Sequence, residues 1–199
     1  MLEITADFDG FLKQLNDVER RQVPFAISLT LNETIDDVES NTRKRLPRVL
    51  DRPTPFTQRG LMTRKATKRR LLASVGFKRI QSAYLKFQED GGERRPRRRA
   101  IPIPVGQRLN KYGNMPRAAI KRLLARPGVF SGEVRGVAGI WQRKRTRGQR
   151  GLKLLIAFKP RATYQPRLKF HEGALKTTRA RIGINWRRSF ARALKTARR

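Results

Sequence analysis

The chain has 199 residues, of which 48 are Lys or Arg and 15 are Asp or Glu, so its formal net charge at pH 7 is +33. It contains no cysteine, which excludes a disulfide framework and a thiolate metal site and fits a reducing cytosol. Residues 1–42 carry nine acidic against three basic side chains, whereas residues 43–199 carry six against 45. Such a basic body repels itself unless a polyanion or an acidic protein surface neutralises it, so we expect a negatively charged partner.

The first residues, MLEITADFDG, have neither the basic start nor the apolar stretch of a secretory signal. No apolar run approaches the roughly 20 residues that a membrane-spanning helix needs. We therefore expect no secretory signal and no membrane partner.

Two helices are predicted in the first 50 residues. Asp7 is a suitable cap for the first. The second is expected to begin at Pro24 and to bend or end at Pro47. Its apolar side chains recur at helical spacing, which predicts a buried stripe of Ile27, Leu31, Ile35, Val38 and Leu46.

Strands and short helices alternate along the rest of the chain. In order, the patterns predict a strand over 70–78, a short helix over 82–92, an extended edge segment over 100–105, a short helix over 116–126, a hairpin with strands 133–144 and 152–160, and a helix from Gly173. The basic loop 145–151 is expected to connect the two hairpin strands.

This order predicts an α+β fold, with a small, mostly antiparallel β-sheet packed on one or two long helices and with extended basic loops or arms. An acidic helical segment over residues 1–50 would precede a basic α+β body over residues 51–199 that ends in the C-terminal helix. We expect both parts to form one structural unit.

The sequence offers no catalytic or metal-binding set. The single histidine, His171, is followed by Glu172, but adjacent side chains on a helix do not face each other. The acidic cluster Glu89, Asp90 and Glu93 lies beside five arginines, and local charge balance accounts for it. We therefore predict a non-enzyme without cofactor or metal.

Two arginine-rich runs are the predicted contacts for a polyanion or an acidic partner. Arginine suits this role because its planar guanidinium grips phosphates and carboxylates through two parallel hydrogen bonds. No base-reading motif accompanies the runs, so any contact with nucleic acid would be independent of sequence. The residues are Arg94, Arg95, Arg97, Arg98, Arg99, Arg143, Lys144, Arg145, Arg147 and Arg150.

Three segments resemble the tail-completion, or minor tail protein Z, family of tailed bacteriophages and related head–tail joining proteins. The first is VPFAISLTLNETIDDVESNTRKRL (23–46), although Glu33 stands where the family usually has Arg. The others are GIWQRK (139–144), which leads through a basic loop into LKLLIAF, and AYLKFQEDGG (83–92), in which the glutamate is displaced.

The resemblance implies a structural virion protein at the head–tail junction, assembled in the host cytoplasm. Its implied partners are portal or connector and tail proteins and a homo-oligomeric ring of six or 12 copies, with packaged DNA as a further candidate. The alternative is a non-sequence-specific nucleic-acid-binding protein of the ribosomal or nucleoid type, although an acidic N-terminal helix pair is unusual for ribosomal proteins.

Contacts with neighbouring subunits or partners are predicted at two kinds of residue. The charge split suggests that the acidic helices pack on the basic surface of a neighbour, through Asp36, Asp37 and Glu39. Extended proline-rich segments suit arms that become ordered on a neighbour, with the apolar anchors Phe56, Ile101 and Ile103.

Overall fold

The computed structural model describes residues 2–4, 17–96, 99–146 and 149–197. Its elements, in chain order, are β1 (Leu2–Ile4), α1 (Asp17–Val49), α2 (Pro55–Gln58), β2 (Leu61–Arg64), β3 (Ala73–Phe77), α3 (Arg79–Glu89), β4 (Gly92–Arg94), β5 (Ile101–Pro104), α4 (Ala119–Leu124), β6 (Val129–Val134), β7 (Val137–Thr146), β8 (Gln149–Lys159), β9 (Ala162–Tyr164) and α5 (Phe170–Ala197). The fold is α+β. The predicted first helix, with Asp7 as its cap, lies at positions outside the described residues.

The chain forms two compact units, which differ from the single unit and the boundary near residue 50 that the sequence predicted. Unit 1 comprises Met1–Glu89 and Arg167–Arg199, and unit 2 comprises Asp90–Pro166. The difference arises because α1 and α5, from opposite ends of the chain, pack side by side. The acidic N-terminal segment therefore shares a core with the C-terminal helix.

Unit 1 is built on the two long helices and a three-stranded antiparallel sheet of order β1-β3-β2. The predicted apolar stripe on α1 is buried, with the exposure of its five side chains between 0% and 4%. Across from it, Val75 of β3 and Ala174 of α5 complete the core. Burial of this much apolar surface is the main stabilising term of the unit.

The helix α1 is longer than predicted at both ends and contains Pro24 and Pro47 in its interior. A proline inside a helix removes one backbone hydrogen bond and strains the preceding turn. Val23, Ala26 and Ile27 surround the first proline and are all buried. Their packing compensates for the lost hydrogen bond. The helix therefore runs through Pro24, the residue at which the sequence predicted its start.

Unit 2 centres on a four-stranded antiparallel sheet of order β5-β8-β7-β6, beside a two-stranded β4-β9 ribbon. Leu123 of α4 packs against Ile140, Leu155 and Ile156, which form a small core on one face of the sheet. A β-bulge lies between β7 and β8 at Ile140/Trp141. The predicted extended segment becomes β5, an edge strand, and its two prolines fit that position.

The predicted hairpin is longer than expected, and its first strand is divided. A turn at Arg135 and Gly136, with φ angles of 51° and 74°, separates β6 from β7. Two successive positive φ angles define the turn type that matches the twist of a hairpin. Most of the predicted loop 145–151 is strand, and its positions 147 and 148 lie outside the described residues.

Candidate polyanion-binding surface

The acidic face of α1 is neutralised by α5 within unit 1. Asp37 accepts hydrogen bonds from Arg181 Nε at 2.8 Å and from Asn185 Nδ2 at 3.0 Å. The amide of Asn185 also donates to Thr34 Oγ1 at 3.1 Å, and both residues are fully buried. One helical turn away, Glu33 accepts from Arg188 Nη2 at 2.8 Å. Carboxylates in the middle of α1 thus pair with cations of the basic helix α5.

The other predicted docking carboxylates also have partners in the same unit. Asp36 pairs with Lys65, and Glu39 pairs with Arg43 one turn further along α1 at 2.6 Å. All three predicted docking carboxylates are thus paired within this chain, and their packing on a neighbour stays a prediction. Only the pair of Asp37 follows from the chain topology that brings the basic C-terminal helix onto α1.

The charge on Asp37 depends on these contacts. Burial acts to raise the pKa of Asp37, but hydrogen bonds from Asn185 and Arg181 and the nearby charges of Arg181 and Arg188 outweigh it and lower the pKa. A lowered pKa in the folded state means that the carboxylate stabilises the fold at neutral pH.

Unit 1 should therefore lose stability in acid. The contribution of Asp37 is present above its ordinary pKa of 3.8 and is lost as the pH falls below that value through the folded-state pKa. Thermal unfolding of wild type and Asp37→Asn from about pH 7 down to about pH 2 should show a difference that shrinks in acid. Asp51→Asn is the control, because its exposed pair with Arg52 contributes little. An Asp37→Asn difference that is constant over this range would contradict the assignment.

The predicted apolar anchors lie in different units. Phe56, in the short helix α2 of unit 1, has 52% of its surface exposed. Ile101 and Ile103, on β5 of unit 2, pair in register with Lys159 and Ala157 of β8. Ile101 is half-buried and Ile103 is 37% exposed.

The first arginine run is exposed where the structure describes it. Arg94, Arg95 and Arg99 are exposed, whereas the predicted contacts Arg97 and Arg98 lie outside the described residues. Glu93 pairs with Arg161 at 3.1 Å and lies 4.0 Å from Arg95. This carboxylate therefore has a local partner.

The second run lies on the β7–β8 hairpin. Arg143 and Lys144 are exposed, and the Arg143 guanidinium lies 5.1 Å from the centre of the Phe130 ring. Arg145 and Arg150 are backbone partners in the ladder, and Arg147 lies outside the described residues. Four of the five predicted cations of this run therefore occupy backbone positions on this hairpin.

A third basic surface, which the sequence did not predict, is a groove of about 750 Å³ in unit 2. The segment before α4, the helix α4 and one face of the β7–β8 hairpin form its walls. We call it the basic groove; its cations are Arg108, Lys111, Arg122, Arg126 and Lys153. All five are exposed. Because they are scattered singly over 46 positions of the sequence, no charge run marks them.

Beneath the cations the basic groove is apolar. Ala119, Leu123 and Leu155 line it and are between 2% and 6% exposed, whereas Leu109 at its mouth is 37% exposed. No carboxylate is among the residues that line the groove, as far as the chain is described. The groove thus presents five exposed cations above partly buried apolar side chains.

The residues considered for catalysis do not converge. Glu89 caps the start of α5, where its carboxylate accepts from the backbone N–H of Phe170 at 2.6 Å and of His171 at 3.0 Å. Within the described parts of the chain, no three His, Asp or Glu side chains gather as a metal site would require. Over those same residues, no helix has the length and apolar character to span a bilayer.

Comparison of the chain with protein-family models, with curated proteins and with solved structures gave no match.

Proposed function

We propose that this protein is a structural component of the head–tail junction of a tailed bacteriophage. In this role it joins portal or connector proteins to tail proteins in a ring of six or 12 copies and stabilises the channel for DNA. The resembling segment 83–92 runs from α3 to the first residue of β4. The other two segments fall on α1, which contains 23–46, and on β7, which contains 139–144. Both elements contribute to the core of their unit.

The observation that carries the proposal is the distribution of charge between the units. Residues 90–166 contain 20 Lys or Arg and three Asp or Glu, a net charge of +17. The longer unit 1 has 28 Lys or Arg and 12 Asp or Glu, a net charge of +16, and carboxylates of α1 pair there with cations of α5. Unit 2 has few carboxylates to neutralise its positive charge, which suits a protein that is held against polyanions or acidic neighbours.

The second candidate is a non-sequence-specific nucleic-acid-binding protein outside a virion. The basic groove favours this second candidate, because its cations could bind a polyanion without any other phage protein. The two candidates differ in where the protein is found and in the number of copies that assemble.

Cryo-EM of purified particles tests the proposal. We expect density for this fold at the head–tail junction in six or 12 copies, and particles made without the protein should fail to complete that junction. If the protein is absent from particles and instead co-purifies with ribosomes or the chromosome, the second candidate is correct.

A further inference from the structure

We propose that the basic groove of unit 2 binds the phosphodiester backbone of duplex DNA without regard to sequence. This inference deepens the proposed function, because it names the surface through which the protein would contact DNA. It differs from the arginine runs predicted at 94–99 and 143–150, none of whose described residues lines the groove.

The five cations of the groove are available to a ligand. Over the described residues, none of them forms a salt bridge with a carboxylate, whereas Arg181 and Arg188 of unit 1 do. Arg122 is positioned by a hydrogen bond from its Nη2 to the carbonyl of Arg117 at 2.6 Å. Unpaired cations that lie together repel one another, and phosphates relieve that repulsion.

The side chains that line the groove favour DNA over a protein partner. Protein interfaces rely on apolar or aromatic anchors that fill pockets. In the groove Ala119, Leu123 and Leu155 are buried, Pro116 and Val129 are half-buried, and no aromatic side chain lines it over the described residues, so it offers little apolar surface to such an anchor. The exposed groups are guanidinium and ammonium groups, with Gln107, Asn110 and Gln142 as further donors.

The same lining favours a duplex over a single strand. Proteins that bind single strands stack the bases on aromatic side chains. The described residues that line the groove include no aromatic one. A duplex requires only contacts to phosphates, which three guanidinium and two ammonium groups provide.

The test compares two triple variants of the full chain with equal losses of charge. The groove variant is Arg108→Gln, Arg126→Gln and Lys153→Gln, which spares Arg122 and its backbone contact. The control variant is Lys176→Gln, Arg179→Gln and Arg187→Gln, at exposed positions on α5. Binding to a short duplex of random sequence is measured by anisotropy over a range of salt concentrations, and circular dichroism verifies folding.

Each phosphate contact contributes about 0.9 to the slope of log K against log salt concentration. We expect the groove variant to reduce the slope by about 2.7 and the control variant to change it by less than about one. Equal changes in the two variants, or no change in either, would overturn the proposal.

Polyglutamate serves as the acidic-protein probe. If the groove variant loses binding to polyglutamate but keeps the wild-type salt dependence on DNA, the occupant is an acidic protein and the proposal is wrong. These measurements use the purified protein, so they are separate from the localisation in particles. If the groove does not bind DNA, the proposed role at the head–tail junction is unaffected. If the protein is absent from particles, the measured binding of DNA by the groove is unaffected.

Discussion

Replacing Asn185 with leucine is expected to destabilise unit 1 by about 2–4 kcal/mol. The side chain is fully buried and donates to both Thr34 and Asp37. Leucine has a similar volume but no donor, so a buried hydroxyl and a partly buried carboxylate would each lose a partner. Unsatisfied buried groups are costly because they have given up water without receiving a replacement.

Thermal or urea unfolding of the full chain measures this effect. Ile184→Leu is the matched control, since Ile184 is the preceding residue of α5 and is 49% exposed. It should change the free energy of unfolding by less than about 0.5 kcal/mol. If Asn185→Leu is as stable as the control, the polar contacts between α1 and α5 do not hold the helices together.

Replacing Gly139 with alanine is expected to disrupt the sheet of unit 2. A Cβ at this position would clash with the carbonyl oxygen of Ile156 and would lie 2.9 Å from Leu154 Cδ1. Gly139 is on the central strand β7 and pairs with Ala157, so the backbone of β8 would have to move. Overpacking of this kind costs about 1–3 kcal/mol, and contact with backbone places the change at the upper end.

Gly151→Ala provides the control within the same hairpin, because a Cβ there meets no atom within 4 Å. Amide hydrogen exchange over 137–159 should accelerate in Gly139→Ala and remain near wild type in Gly151→Ala. Protection that is equal in both variants would show that β7 and β8 are not packed as closely as the structure indicates.

The periodic parts of the fold could be predicted from the sequence, but the helix boundaries and the units could not. The spacing of Ile27, Leu31 and Ile35 predicted the buried face of α1, because a stripe at helical period needs no tertiary information. Pro24 and Pro47 were interpreted as helix ends from their local effect. Tertiary packing overrides that effect, and the pairing of the first and last long helices depends on contacts that sequence spacing does not encode.

The candidate site, too, could be predicted from the sequence only in part. Runs of arginine identify charge that is concentrated along the chain, and the basic residues on the β7–β8 hairpin were predicted in this way. The basic groove was not predicted, because Arg108, Arg122 and Lys153 belong to three different segments and line one groove only in the folded unit. Its signal in the sequence is limited to the scarcity of acids between residues 94 and 132, where none occurs.

The prolines of β5 give the sheet of unit 2 only one edge that can accept another strand. Proline has no amide hydrogen, so Pro102 and Pro104 remove two donors from the four positions of this strand. The opposite edge strand, β6, contains no proline, so each of its residues keeps its peptide N–H. Copies of this chain therefore cannot extend a continuous strand-to-strand ladder through both edges of the sheet, which protects the sheet against fibril growth.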